Sequence, residues 1–216
     1  CLDEVADSTA AHILNAARRI SVSRDRLMDG NFEMNGLRPM LRLENSTICF
    51  VGFGNIARNL YRKMRAFFGH VVAVDPYITD RLMYPDVEFL ELHEALSCAD
   101  VVTMHLQLTP ATRGIIGEQE FQSMKPGVIF VNTARGGLVD EAALMRALDS
   151  GRISYCALDV LGTENFSESP LLHRENVILT PHISWCSEAA LAELQKKTAQ
   201  NVVETFLHGE PIYRAV

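Results

Sequence analysis

The chain has 216 residues, of which 48% are hydrophobic and 22% charged, and its formal net charge at pH 7 is −7. This composition is typical of a globular protein and allows one large domain, or one domain with additional segments. The negative charge argues against general nucleic-acid binding, which requires a basic surface. No apolar run approaches the roughly 18 residues of a membrane span. From the charge and the absence of such a run, we expect neither nucleic acid nor a membrane as a partner.

The five cysteines are scattered and include no C-x-x-C pair. An odd, unpatterned set is typical of a reducing compartment, and the sequence has no recognisable signal peptide, so a cytoplasmic protein is expected. Five histidines fit no metal-ligand spacing, and we expect no metal site. They are His12, His70, His93, His173 and His208.

The first predicted element is a helix that ends near Arg19–Ile20. Apolar and small residues recur at i, i+4, i+7, i+8 and i+11 from Ala6 to Ala17, which is helical spacing. The small residues allow close packing, either against another subunit or against the sheet of the same chain. The glycines, the proline and the polar residues of 29–46 predict a loop before the first strand.

A dinucleotide-binding fingerprint follows this loop. A short apolar run leads into the pattern G-x-G-x-x-A at Gly52, Gly54 and Ala57, and apolar residues then recur at helical spacing. A second apolar run, 71–74, ends at Asp75, about 20 residues after the first glycine. Strand, glycine turn, helix, strand and acid in this order are the context that dinucleotide binding requires.

Each position of the fingerprint has a physical role. Gly52 can form a tight turn because it has no Cβ, and Gly54 allows the backbone to approach a pyrophosphate. The start of the following helix offers unpaired N–H groups and a positive dipole end to the phosphates. Asp75 would accept hydrogen bonds from the adenosine ribose and repel a 2′-phosphate, which predicts NAD rather than NADP.

The rest of the chain alternates predicted strands with predicted helices. The strands are 101–105, 128–131, 153–158 and 177–179. The helices are 90–98, a short one ending at 121–124, 142–148, and a final one over 191–206 that is capped by Ser184 or Ser187 and ends before Gly209. This alternation predicts an α/β fold with a doubly wound parallel sheet.

Six polar residues follow the carboxyl ends of predicted strands, where open α/β sheets bind ligands. They are Asp75, His105, Arg135, Asp159, Glu164 and His182. We expect His105 to line the cofactor groove without acting as a second base. Trp185, close to the last of them, fits either a contact with substrate or nicotinamide, or core packing.

Four stretches resemble the D-isomer-specific 2-hydroxyacid dehydrogenases and together span nearly the whole chain. They are the glycine turn 51–57, residues 105–114, residues 124–141, which contain N-T-A-R-G-G-L-V-D-E, and A-L-D-V through T-P-H at 157–182. The third is the most specific. The sequence departs from the family pattern at Ala57, at Gln107 where proline is common, and at Asn165, which follows the acid where the family usually has proline.

The resemblance implies a catalytic set of Arg135, Glu164 and His182. It also implies a set of cofactor contacts. Together with the residues of the fingerprint, the expected cofactor contacts are Gly52, Gly54, Asn55, Ile56, Asp75, Leu106, Thr133, Ala134 and Asp159. The implied chemistry is reversible hydride transfer between NAD(H) and a 2-hydroxy or 2-oxo acid. His182 would exchange the proton, Glu164 would hold the imidazole, and Arg135 would bind the substrate carboxylate.

The resemblance also implies a domain plan. Residues 1–20 correspond to a crossover helix, 21–185 to the dinucleotide-binding domain, and 186–216 to a helix returning toward a substrate domain. That domain, about 100 residues in a typical case, is largely missing from the sequence. The family also contains corepressors, so an NAD-binding interaction module without significant turnover is an alternative, and a homodimer is expected in either case.

Overall fold

The computed structural model describes residues 1–38, 40–163 and 165–213. Seven parallel strands form one sheet in the order β3-β2-β1-β4-β5-β6-β7. In chain order they are β1 (Thr47–Val51), β2 (His70–Val74), β3 (Val87–Phe89), β4 (Val101–Met104), β5 (Val128–Asn132), β6 (Ile153–Leu158) and β7 (Val177–Leu179).

Seven α-helices accompany the strands of the described chain. They are α1 (Leu2–Arg18), α2 (Ile20–Met28), α3 (Asn55–Met64), α4 (Leu92–Cys98), α5 (Glu118–Ser123), α6 (Glu141–Asp149) and α7 (Glu188–His208). The predicted α/β class, with a doubly wound parallel sheet, is confirmed.

The sheet has a hydrophobic core on each face. Along β1, Cys49 and Val51 belong to one core, whereas Ile48 and Phe50 belong to the other. This alternation follows from the two-residue period of a strand, and it explains why buried parallel strands read as continuous apolar runs. Burial raises the pKa of the Cys49 thiol, so this cysteine is an inert core residue.

Helix α1 packs against the sheet of its own chain. Ala6, Ile13 and Ala16 are fully buried in the core that also contains residues of α3 and of the central strands. Of the two arrangements left open by the sequence, the structure therefore contains the intramolecular one. Arg19, in the left-handed conformation, separates α1 from α2. Helix α2 was not predicted, because its weakly amphipathic sequence lacks an apolar stripe.

Most predicted elements lie within a few residues of their observed bounds. Strand β3 was missed, since three residues carry almost no periodicity. Ser187, rather than Ser184, caps α7, because its Oγ accepts a hydrogen bond of 2.9 Å from Ala190 N. Gly209 ends this helix with φ 81°, as expected for a left-handed C-terminal glycine.

The topology reverses direction between β1 and β4. Successive connections run from β1 through β2 to β3 on one side, and then from β4 to β7 on the other. Ligands of open α/β sheets bind outside the carboxyl ends of the strands at such a point. The glycine turn after β1 lies there, and all the predicted site residues of the described chain follow strands at the same edge.

Candidate functional site

The turn between β1 and α3 can accept a phosphate group. Gly52 has φ 92°, and a Cβ there would lie 2.9 Å from the backbone carbon of His105, so only glycine fits. Apart from the adjoining residues, no atom of the described chain lies within 4 Å of the place where a Cβ of Gly54 would be. Asn55 and Ile56 begin α3, whose first-turn N–H groups have no intrahelical partners. An anion can therefore approach these groups past Gly54.

Asp75 lies beside this turn and shapes it. Its carboxylate accepts hydrogen bonds of 2.9 Å from the backbone N–H groups of Phe53 and Tyr77. A carboxylate has about four acceptor positions, so it can accept further hydrogen bonds from a ligand. Arg58, which also contacts the Phe53 carbonyl, donates both terminal nitrogens to Asp80 at 2.7 and 2.9 Å. Its charge is therefore already paired.

A cavity of about 710 Å³ lies at the carboxyl edge of the sheet. Pockets of this size accommodate small-molecule ligands. Seven predicted site residues line it: Ile56, Leu106, Thr133, Ala134, Arg135, Asp159 and His182. The fold thus brings Arg135 and His182 to the same cavity. The cavity lining does not include four other predicted cofactor contacts, which are Gly52, Gly54, Asn55 and Asp75. These residues adjoin the cavity through Ile56.

The loop after β5 presents Arg135. Asn132 is buried, and its Oδ1 accepts a hydrogen bond of 3.0 Å from Ala134 N, while its Nδ2 donates to the Arg135 carbonyl at 2.9 Å. The side chain of Asn132 thereby closes a short loop with Arg135 exposed at its end. Arg135 Nη1 donates to the Ala134 carbonyl at 2.6 Å. The motif contained Asn132, but nothing in the local pattern indicated this role.

Asp159 holds the turn that carries His182. Its fully buried carboxylate accepts hydrogen bonds from Thr180 Oγ1 at 2.6 Å, Ile183 N at 3.0 Å and Ser184 N at 2.9 Å. The backbone carbonyl of Asp159 accepts a further hydrogen bond of 2.9 Å from His182 N. Asp159 lines the cavity, and its carboxylate holds the turn. Its role as a cofactor contact stays a prediction.

His182 adopts an uncommon backbone conformation. Its φ is 53°, in the left-handed region that non-glycine residues rarely occupy. Such conformations persist where surrounding contacts overdetermine them, and here Trp185 Nε1 donates to the His182 carbonyl at 2.9 Å. The imidazole is exposed at the cavity, and Trp185 also lines it. Trp185 therefore belongs to the site rather than to the core.

His105 lines the same cavity at the end of β4. Its Nε2 lies 3.0 Å from Thr103 Oγ1, and its ring stacks on Phe50 with the centroids 5.8 Å apart. Burial lowers the pKa of His105 to about 3. The imidazole is therefore uncharged at neutral pH, in agreement with the expectation that it lines the groove without acting as a second base.

Helix α1 contributes contacts that sequence reasoning missed. Three of its side chains reach the loops of the site: Ser8 lies 2.9 Å from Ser184, Thr9 lies 2.7 Å from Thr133, and His12 lies 3.3 Å from Thr180, measured between side-chain oxygen or nitrogen atoms. The available signal was the spacing of positions 8, 9 and 12, which share one face of a helix. Without the tertiary structure, nothing indicated what that face contacts.

Glu164, the predicted partner of His182, lies outside the described residues. Within 1–38, 40–163 and 165–213, no group of three or more His, Cys, Asp or Glu side chains is arranged to hold a metal ion. Among the same residues, no helix has the length and apolarity to cross a membrane.

Comparison with known proteins identifies the family. The sequence profile described as D-isomer specific 2-hydroxyacid dehydrogenase, NAD binding domain, matches residues 10–184. The chain belongs to this family. The resemblance inferred from the four sequence stretches is confirmed, and so is NAD as the cofactor of the domain, because the matching profile describes an NAD-binding domain.

Named relatives in the family include dehydrogenases. The chain is 35% identical over 219 aligned positions to D-3-phosphoglycerate dehydrogenase of Mycobacterium tuberculosis, covering 100% of this chain and 40% of the relative. It is 35% identical over 176 positions to glycerate dehydrogenase of Methylorubrum extorquens, covering 80% of this chain and 54% of that protein. The chain thus spans about half or less of the length of these two relatives.

Solved structures in this family share the fold. D-2-hydroxyisocaproate dehydrogenase superposes with a TM-score of 0.89 at 26% identity, covering 100% of this chain and 69% of that one. D-lactate dehydrogenase from Aquifex aeolicus, solved with NAD and lactic acid, superposes with a TM-score of 0.86 at 28% identity, covering 100% and 72%. All these dehydrogenases contain sequence beyond the region matched here.

Proposed function

We propose that the full-length protein is an NAD-dependent D-2-hydroxyacid dehydrogenase. The observation that carries this proposal is that Arg135 and His182, which follow different strands, line one cavity beside the glycine turn. A guanidinium and an imidazole at one end of a dinucleotide site are suited to a small 2-oxo or 2-hydroxy acid. Bound NADH would supply the hydride, and NAD⁺ would accept it.

The cofactor would be held by the glycine turn and the residues along the cavity. Gly54, with open space around it, and the start of α3 would bind the pyrophosphate. Asp75 would bind the adenosine ribose, and its charge would disfavour a 2′-phosphate. Arg58, already paired with Asp80, would offer that phosphate little compensation. Leu106, Ala134 and the backbone near Asp159 would line the nicotinamide end.

Arg135 and His182 would act on the substrate. The planar guanidinium of Arg135 would bind the substrate carboxylate and polarise the neighbouring carbonyl. His182 would donate a proton to the carbonyl oxygen during reduction and remove it during oxidation, since imidazole titrates near neutral pH. Glu164 would keep the imidazole oriented and favour its charged form.

The proposal is tested with His182→Ala in the full-length protein. We expect kcat to fall by about 10²–10⁴-fold because the proton donor is removed, while the dissociation constant for NADH, measured by fluorescence titration, stays within twofold. The exposed His173 lies outside the cavity lining, and His173→Ala is the matched control. Ordinary turnover in His182→Ala would contradict the assignment.

The same assay addresses the alternative function. A panel of 2-oxo acids, including hydroxypyruvate, would be reduced with NADH by the wild-type protein. If no acid were reduced while NAD still promoted dimerisation, the interaction-module function would replace the proposed one. The presence of Arg135 and His182 does not distinguish the dehydrogenase from the interaction module.

We further propose a cytoplasmic homodimer. Several large apolar side chains that follow α1 are more than half exposed, which favours a partner surface: they are Ile20, Leu27, Met28, Phe32 and Met34. The buried free thiols of Cys49 and Cys156 fit a reducing compartment.

The proposed plan of a crossover helix at 1–20, a nucleotide domain at 21–185 and a returning helix at 186–216 is supported by the long, mostly exposed α7.

A further inference from the structure

The number of available protons fixes the hydrogen-bond direction between α1 and the loop that carries Arg135. Thr9 Oγ1 lies 2.6 Å from the Val5 carbonyl oxygen, which can only accept, so Thr9 donates its single hydroxyl proton there. Thr9 Oγ1 also lies 2.7 Å from Thr133 Oγ1. Since Thr9 has no second proton, Thr133 must be the donor in this pair.

This direction determines what Thr133 can offer to a ligand. Thr9 is 0% exposed and Thr133 is 6% exposed, so water does not compete for their hydrogen bond. Thr133 lines the cavity. With its proton used toward α1, its oxygen has only lone pairs left for the cavity, and Thr133 can only accept a hydrogen bond there.

We propose that Thr9 is a positioning residue, which orients the Thr133 hydroxyl so that it accepts a hydrogen bond from the nicotinamide riboside half of the bound dinucleotide. This inference rests on the proposed function. Thr133 stands two residues before Arg135, at the reactive end of the cavity, whereas the pyrophosphate is assigned to the glycine turn. Two donors are present in that half of NADH, the carboxamide NH₂ and the ribose hydroxyls, and both match an acceptor.

Helix α1 also contacts a second threonine of the site, whose hydrogen-bond direction is set by Asp159. Thr180 donates its proton to the Asp159 carboxylate at 2.6 Å. Its oxygen is therefore an acceptor toward His12 Nε2 at 3.3 Å, and the imidazole must carry its proton on Nε2. His12 is 7% exposed. The polar face of α1 thus contacts a threonine in each of the two loops that carry Arg135 and His182.

The test compares Thr9→Val with Thr9→Ser in the full-length protein. Valine is nearly isosteric and removes the acceptor for the Thr133 proton, whereas serine retains it. Binding of NADH, ADP-ribose and ADP would be measured by calorimetry. We expect Thr9→Val to weaken NADH binding about 3–10-fold, the range of one hydrogen bond, to leave ADP binding unchanged, and Thr9→Ser to restore NADH affinity.

ADP-ribose identifies the donor. If ADP-ribose binding weakens together with NADH binding, a ribose hydroxyl donates to Thr133; if only NADH binding weakens, the carboxamide does. Thr133→Val should cause the same loss as Thr9→Val, and the double variant should add nothing, because both remove one interaction.

A control variant separates positioning from general stability. Ser46 is 4% exposed and donates to the Arg42 carbonyl at 3.0 Å, at the amino end of β1 and outside the cavity lining. Ser46→Ala should lower the melting temperature without changing NADH affinity. Unchanged NADH binding in Thr9→Val, or an equal loss for ADP, would overturn the inference. A wild-type protein that binds no NADH would overturn the proposed function, and this inference with it.

Discussion

At the scale of single residues, two glycines of one motif do different physical work. Gly52 has a positive φ and no space for a Cβ beside the backbone of His105, so it is required by the fold itself. Gly54 has φ −77° and open space around it, so nothing in the described part of the chain requires glycine there. The requirement at Gly54 must come from the ligand, which needs close access to the start of α3.

Alanine substitutions at the two glycines should therefore have different effects. Gly52→Ala should lower the free energy of unfolding by about 1–3 kcal/mol, because the backbone conformation is strained and the Cβ clashes. Gly54→Ala should leave stability nearly unchanged and weaken NADH binding at least severalfold. Urea unfolding and NADH titration of both variants check this pair. Equal loss of stability in both would contradict it.

At the scale of elements, the turn after β7 depends on a carboxylate at the end of β6. Asp159 accepts one hydroxyl and two backbone N–H groups of this turn while fully buried. Burial makes each of these hydrogen bonds hard to replace, since an unpaired donor would remain away from water. The unusual backbone of His182 is thus stabilised by a residue of the neighbouring strand.

Asp159→Asn should destabilise the protein by about 1–3 kcal/mol, because the amide NH₂ would face a backbone N–H or hydroxyl donor. Asp140 provides a matched control: it caps α6 by accepting from Ala143 N at 3.1 Å, and asparagine is an equally good cap. Asp140→Asn should therefore change the unfolding free energy little. Equal urea midpoints for Asp159→Asn and the wild type would contradict this role.

Two histidines, the buried His12 and the half-buried His105, link the stability of the whole molecule to pH. Burial lowers the pKa of His12 below its ordinary value of 6.5 and that of His105 to about 3. Below pH 6.5, the unfolded chain binds protons at these positions that the folded protein does not bind. The contribution of these two histidines to the free energy of unfolding therefore has its full value above pH 6.5 and falls as the pH is lowered.

The unfolding free energy should decrease by up to about 1.4 kcal/mol per pH unit for each histidine in this window. For His105 the window extends from pH 6.5 down to about 3. His105→Gln should make the curve of unfolding free energy against pH shallower between pH 6 and about pH 4, relative to the wild type. Chemical denaturation at a series of pH values measures both curves, and parallel curves would refute the linkage.

Local patterns in the sequence determined much of this protein. The glycine turn, the acid after the second strand, the alternation of strands and helices, and the motif around Arg135 are all set by residues within a few positions of one another. They were therefore readable without the fold. Parallel pairing then follows, and it explains why residues after different strands, such as Arg135 and His182, meet at one edge.

The side chains that support the site are set by the packing of segments that lie far apart in the sequence. Thr9 and Thr133 are 124 positions apart, and His12 and Thr180 are 168 apart. Hydrogen bonds over such separations depend on how α1 packs on the sheet, and a packed face has no periodicity that names its partner. The same holds for Asp159: the family resemblance implied a cofactor contact there, and its carboxylate holds a turn 21–25 residues further along the chain.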